Sequence, residues 1–128
     1  MTLLQTLLPE LACFLAQRGC VIIEERCDPA FGNVLSVVEC DGFLVRVVKD
    51  RGHTTIEVGQ RGEQQQWHTI ENVLEFLKGA LPANAELGLK ADFGQVSDLM
   101  KSDLDQRGYV AFERKKAEAV SQRLFPNR

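Results

Sequence analysis

Apolar positions along this chain follow two rhythms, and the change from one to the other marks out its architecture. From Leu3 to Arg18 the apolar residues Leu3, Leu4, Leu7, Leu8, Leu11, Phe14 and Leu15 recur at the three- and four-residue spacing of one helical face. Gly19 follows where a helix is commonly closed by a left-handed residue, so the first helix is expected to end there. Pro9 lies inside the pattern and leaves two readings open: a kinked helix, or a short first turn ending at Leu8 with a second segment starting on Pro9.

From Cys20 the rhythm becomes that of strands. Residues 20–27 begin apolar and β-branched, and Asp28-Pro29-Ala30-Phe31-Gly32-Asn33 is rich in turn formers. Val34 to Cys40 and Phe43 to Lys49 flank Asp41-Gly42, a dipeptide suited to a two-residue primed turn because both positions tolerate positive φ. Pairing Cys40 with Phe43 sets Val38 against Val45 and Ser36 against Val47 on one face. A second turn at Asp50-Arg51-Gly52-His53 leads to Thr54 to Gly59, and pairing Lys49 with Thr54 adds Ile56 and Val58 to that face. The opposite face carries Leu35, Val37, Glu39, Leu44, Arg46, Val48, Thr55 and Glu57, with Arg46 directly across from Glu57.

After a polar link from Gln60 to Gln66, Trp67-His68-Thr69 is expected to introduce a helix with the stripe Ile70, Val73, Leu74, Leu77 and Leu81, capped by Thr69. Pro82 to Lys90 reads as loop. A third helix is expected over Asp92 to Gln106, using Val96, Leu99, Met100 and Leu104. Gly108 then separates it from a last helix, Tyr109 to Leu124, with Tyr109, Phe112, Val120 and Leu124 inward. The resulting expectation is a single α+β domain over residues 1–128: an antiparallel sheet of about four strands with helices on one face.

Composition narrows the function classes. The 128 residues fit one domain, and 45% hydrophobic with 26% charged content is ordinary for a globular chain. The leucine-rich start lacks a basic leader and is interrupted by Gln5, Pro9 and Glu10, so neither a signal peptide nor a membrane span is expected and a cytoplasmic location follows. In that compartment Cys13, Cys20, Cys27 and Cys40 are expected as reduced, packed thiols. A net charge of −3 gives no footprint for direct nucleic-acid binding, and the one basic cluster, Arg114, Lys115 and Lys116, reads as a solvated helical face.

Candidate chemistry is sparse. The cysteines show no CxxC spacing and the histidines no HxxxH, so no metal site is expected. No phosphate-binding glycine loop or GxSxG elbow occurs, so neither a cofactor nor a catalytic site is assigned. A cysteine nucleophile would have to use His53 or His68, both placed at loop or cap positions. What remains is the mixed sheet face, where Val37 and Leu44 among Glu39, Arg46 and Glu57 form the candidate partner-binding surface.

The segment Phe43-Leu44-Val45-Arg46-Val47-Val48-Lys49-Asp50-Arg51-Gly52, then Ile56-Glu57-Val58-Gly59, Trp67 and Val73-Leu74-Glu75-Phe76-Leu77, resembles a pattern in small bacterial immunity proteins. Those families are encoded beside polymorphic or contact-dependent growth-inhibition toxins. The likeness covers roughly a quarter of the chain. It implies an antitoxin that binds the C-terminal toxin domain of a cognate effector, often a nuclease, whose basic groove acidic residues would complement. The alternative in a neighbouring class is an acidic secretion chaperone, which would hold an effector partly unfolded; four strands before the second helix suit it less well.

Overall fold

The computed structural model describes residues 2–60 and 67–101. They fall in two compact units, one spanning Met1–Thr69 and one starting at Ile70. The first unit holds two short helices, α1 (Leu3–Leu7) and α2 (Pro9–Gln17), and the strands β1 (Val21–Asp28), β2 (Asn33–Cys40), β3 (Phe43–Asp50), β4 (His53–Gln60) and β5 (Trp67–Thr69). The second holds α3 (Ile70–Lys78), α4 (Ala85–Ala91) and α5 (Phe93–Lys101). The class is α+β as expected, with a sheet of five antiparallel strands rather than four, ordered β1-β2-β3-β4-β5.

Proline settles the open question in the first helical stretch. The ring disfavours helical backbone at the preceding residue, and Leu8 accordingly sits at φ −138°, ψ 78°, between two helices. Thr2 caps α1 reciprocally: its Oγ1 accepts from the Gln5 amide at 3.0 Å while Gln5 Oε1 accepts from the Thr2 amide at 2.8 Å. At the far end Gly19 takes φ 77°, and the Gly19 and Cys20 amides donate to the carbonyls of Ala16 and Leu15. This is the Schellman arrangement that a glycine one residue past the cap permits.

The strand register is the expected one throughout β2, β3 and β4: Cys40 opposes Phe43, Val38 opposes Val45, Lys49 opposes Thr54 and Arg46 opposes Glu57. One face is therefore a continuous core of Val38, Cys40, Phe43, Val45, Val47, Ile56 and Val58, with Ser36 buried among them. Helices α1 and α2 cover the β1–β2 part of this face, where Leu4, Ala12 and Leu15 approach Ile22 and Val38. β1 is the long edge strand. A bulge between Ile22 and Glu24, and the charged run Glu24-Glu25-Arg26, blunt that edge against unplanned pairing.

The two hairpin turns differ from expectation in conformation, though not in position. At Asp41-Gly42 only the glycine has positive φ (84°), so the turn is not the doubly positive primed type. That geometry appears instead at Arg51-Gly52, with φ 53° and 85°. Arg51 is the one non-glycine residue with positive φ among the described residues, and its amide donates to Asn33 Oδ1 at 3.1 Å.

Three further expectations are corrected. Trp67-His68-Thr69 is not a helix lead-in with a Thr69 cap but β5, paired with Gly59, Val58 and Glu57. Three residues beside the edge of β4 that faces away from β3 satisfy backbone groups better as a strand than as a helix preamble. The helix that follows stops at Gly79 (φ 80°), which leaves Leu81 exposed instead of on its stripe. Residues Ala85–Ala91, expected as loop, form α4: Asn84 Oδ1 accepts from the Leu87 amide at 3.0 Å and offsets the weak helix propensity of Gly88. α5 buries Val96 and Met100 as expected, while its expected extension through Leu104 and the whole helix Tyr109–Leu124 lie outside the described residues.

Inside the second unit, α3 and α4 meet closely at Gly88. A Cβ there would lie 2.6 Å from Leu74 Cδ1 and 3.2 Å from Pro82 Cβ, and Leu74 is itself buried. Lys78 Nζ reaches Asp92 Oδ1 at 3.0 Å and ties the end of α3 to the α4–α5 junction.

Two pairs of substitutions test this account by thermal or urea unfolding. Arg51→Asn relieves a backbone conformation that costs a β-carbon-bearing residue about 1–2 kcal/mol and that asparagine tolerates better; a gain of roughly 0.5–1 kcal/mol is expected. Asn33→Ala should lose about 1 kcal/mol with the amide's acceptor. Gly88→Ala should destabilise by about 1–3 kcal/mol despite alanine's higher propensity, because the contact overpacks. Gly94, exposed in α5 with nothing within 4 Å of where a methyl group would be added, should gain up to about 1 kcal/mol on the same change; equal effects at the two glycines would contradict the close approach.

Candidate functional site

The sheet face opposite the core is built by the other half of each strand's alternation. Arg46 and Glu57 are directly opposed on β3 and β4, and Arg46 Nε and Nη2 both donate to Glu57 Oε1, at 2.9 and 2.8 Å. The Arg46 guanidinium also lies 4.3 Å from the centroid of the Trp67 ring, brought alongside by β5. The side chains of Arg46 and Glu57 are only 27% and 18% exposed, so their pairing is less screened than a surface pair and fixes the guanidinium in one orientation. The cross-strand pair expected from register is present; its aromatic partner was obscured by the expectation of a helix there.

The proposed apolar centre is not open. Val37 is 5% and Leu44 2% exposed, so neither offers area to a partner, and Glu39 is half-buried. Glu39 and Leu44 lie toward the Cys40–Phe43 end of the β2–β3 ladder and Val37 at its middle, opposite Arg46, whereas the open part of this face lies toward the other end. There Leu35 and Val48, half-buried and mutually opposed, floor an open groove of about 550 Å³. Arg26 and Asp28 from β1 and Lys49 and Asp50 from β3 stand around it, with Arg46 and Glu57 at one side. Charges of both signs ring it, so the acidic field expected to meet a basic nuclease cleft is not concentrated here.

Beside Asp28 and Asn33, the β1–β2 loop raises Phe31, which is 79% exposed. The loop is held by Asp28, whose Oδ1 accepts from the Ala30 amide at 3.0 Å and whose carbonyl accepts from Gly32, at φ 69°. Sequence reasoning passed over Phe31 because turn formers surround it. That setting was the available signal, since an aromatic ring between Pro29 and Gly32 has no strand face on which to be buried. Val21 and Ile23 add exposed aliphatic area on the same edge strand.

The thiols and imidazoles are also redistributed. Cys40 is buried as expected and Cys20 half-buried, but Cys13 and Cys27 are exposed, because Cys13 projects from the outer side of α2 and Cys27 from the edge strand. Burial first and the neighbouring Cys20 second push the Cys40 thiol far above the ordinary range. His53 is exposed at the β3–β4 turn, but His68 is buried on the core face opposite Val58, in contrast to the exposed cap position expected. No group of three or more metal-ligating side chains occurs among the described residues. No helix among them is long and apolar enough to cross a membrane. Comparison with known proteins finds no matching family model, no matching curated protein and no matching solved structure.

Proposed function

We propose that the chain is an immunity protein that binds the C-terminal toxin domain of a cognate bacterial effector. It would do so with the sheet end that carries Phe31 and the adjoining groove. The observation that carries this reading is Phe31: a large ring 79% exposed beside an apolar floor of Leu35 and Val48 with charge of both signs around it. Such a layout matches the anatomy of a protein contact, in which an aromatic anchor and a small apolar centre supply affinity and a polar rim supplies orientation. The likeness of residues 43–59 and of the helix from Val73 to Leu77 to small immunity proteins supplies the class of partner.

Balanced charge at the groove favours a partner surface that is itself amphipathic over the strongly basic cleft of a nuclease. Val37, Leu44 and the half-buried Arg46–Glu57 pair then serve by shaping the face rather than by touching the partner through exposed apolar area. Leu35, Val48 and Phe31 replace Val37 and Leu44 as the contact residues.

Titration of the purified chain with the folded C-terminal domain of the product of the gene immediately upstream tests the reading. Tight one-to-one binding that abolishes toxicity is expected, and Phe31→Ala should weaken it at least tenfold, about 1.4 kcal/mol or more, with the melting temperature unchanged. Leu35→Glu, at the groove floor, should act in the same direction. Binding confined to an unfolded or N-terminal segment would identify a secretion chaperone instead. Full affinity in both variants would remove this end of the sheet from the contact.

A further inference from the structure

Two of the four thiols are placed together by the ladder. Ile22 opposes Val38 and Val21 opposes Glu39, so continuing the antiparallel register by one step sets Cys20 beside Cys40. Alternation puts both side chains on the face of Ile22 and Val38, beneath α1 and α2. The Cys20 backbone is fixed there by the hydrogen bond from its amide to the Leu15 carbonyl, at 3.0 Å, and Cys20 is among the neighbours that raise the Cys40 thiol. Directly opposed residues of antiparallel strands have Cα atoms roughly 4.5–5.5 Å apart, within the roughly 4.4–6.8 Å span of a disulfide.

The two thiols differ in access. Cys20 is half-buried and lines a cavity of about 270 Å³ between α1–α2 and the β1–β2 hairpin, with Leu4, Ala12, Leu15 and Val38. Cys40 is buried and its thiol holds its proton firmly. Cys13 and Cys27 are exposed on other parts of the surface, on α2 and toward the far end of β1.

We propose that Cys20 and Cys40 form an oxidisable dithiol, a modification site at which a low-molecular-weight disulfide such as glutathione disulfide converts them to an intrachain cystine that staples the edge strand β1 to β2. The Cys20 thiolate attacks one sulfur of the small disulfide, forming a mixed disulfide and releasing one thiolate equivalent, which takes up a proton. Cys40 then gives up its proton to solvent, the less favourable step because burial holds that proton, and its thiolate attacks the Cys20 sulfur; the second small thiolate departs, takes up a proton, and the cystine closes. In sum, two protein thiols and one small disulfide become one protein disulfide and two small thiols. Cys20 is the entry point because it is the more accessible member, and Cys40 resolves the adduct because the continued register sets it directly opposite.

The test uses the full chain with Cys13→Ser and Cys27→Ser, both at exposed positions, alongside the unsubstituted chain, in anaerobic glutathione buffers of graded redox poise. A mass lower by two hydrogens, a peptide map joining Cys20 to Cys40, and full reversal by excess reduced glutathione are expected. The oxidised chain should melt at least about 5 °C higher, since the crosslink removes freedom from the unfolded chain. Adding Cys40→Ser should leave glutathione on Cys20. A persistent glutathione adduct on Cys20 with Cys40 present, thiols unchanged across the series, or a cystine that leaves the melting temperature unaltered would each overturn the proposal.

Discussion

A one-residue slip between β2 and β3 would turn Val38 and Ser36 out of the core and bring Glu39 and Val37 into it, and the same slip between β3 and β4 would exchange Ile56 for Glu57. Burying an unpaired carboxylate is far costlier than any gain from a neighbouring aliphatic residue, so register is decided by the alternation itself. Everything else on the sheet depends on it. With the register set, Arg46 faces Glu57, Leu35 faces Val48, and the start of β1 falls beside the end of β2. The groove over Leu35 and Val48 and the juxtaposition of Cys20 with Cys40 are both by-products of the arrangement that buries the valines.

This is also why the sheet was legible in the sequence and some other elements were not. Alternation over β2, β3 and β4 is long enough to specify partners residue by residue, and the two short turns leave no slack. β5 has three residues, too few for a period to show, and it runs straight into α3. Its placement follows from the tertiary need to pair β4, which no local pattern encodes. α4 was hidden for a different reason: Pro82 and Gly88 read as breakers, yet Pro82 precedes the helix and Gly88 is where Leu74 comes close. The turn chemistry was misassigned between the two hairpins because Asp-Gly is a better primed-turn pair than Arg-Gly in isolation, while Asn33 supplies the hydrogen bond that supports Arg51.

The candidate surface was legible only in part. Strand alternation correctly grouped Leu35, Val37, Leu44, Arg46, Val48 and Glu57 on one face, but not which portion of that face stays open. Periodicity reports the face on which a residue lies; exposure along the strand depends on what covers each end. Trp67 illustrates the point, since its ring reaches Arg46 from a strand that the sequence did not disclose. Phe31 is the converse case, a residue with no assigned face whose exposure follows from its loop being closed by its own Asp28.

The β1–β2 hairpin carries both proposals, at opposite ends. The ladder runs from Val21 and Glu39, next to Cys20 and Cys40, at one end to Asp28 and Asn33, near Phe31, at the other. Eight strand residues at about 3.3 Å each separate them by roughly 25 Å. A crosslink at one end constrains a hairpin already held by its register, so it acts mainly on the unfolded chain and leaves the loop around Phe31 as it is. Oxidation should therefore change how firmly the edge strand is held without changing what the far end presents. The bulge at Ile22–Glu24 reinforces this separation: it interrupts the ladder between the thiols and the loop, so a small adjustment in disulfide geometry can be absorbed there before it reaches the groove.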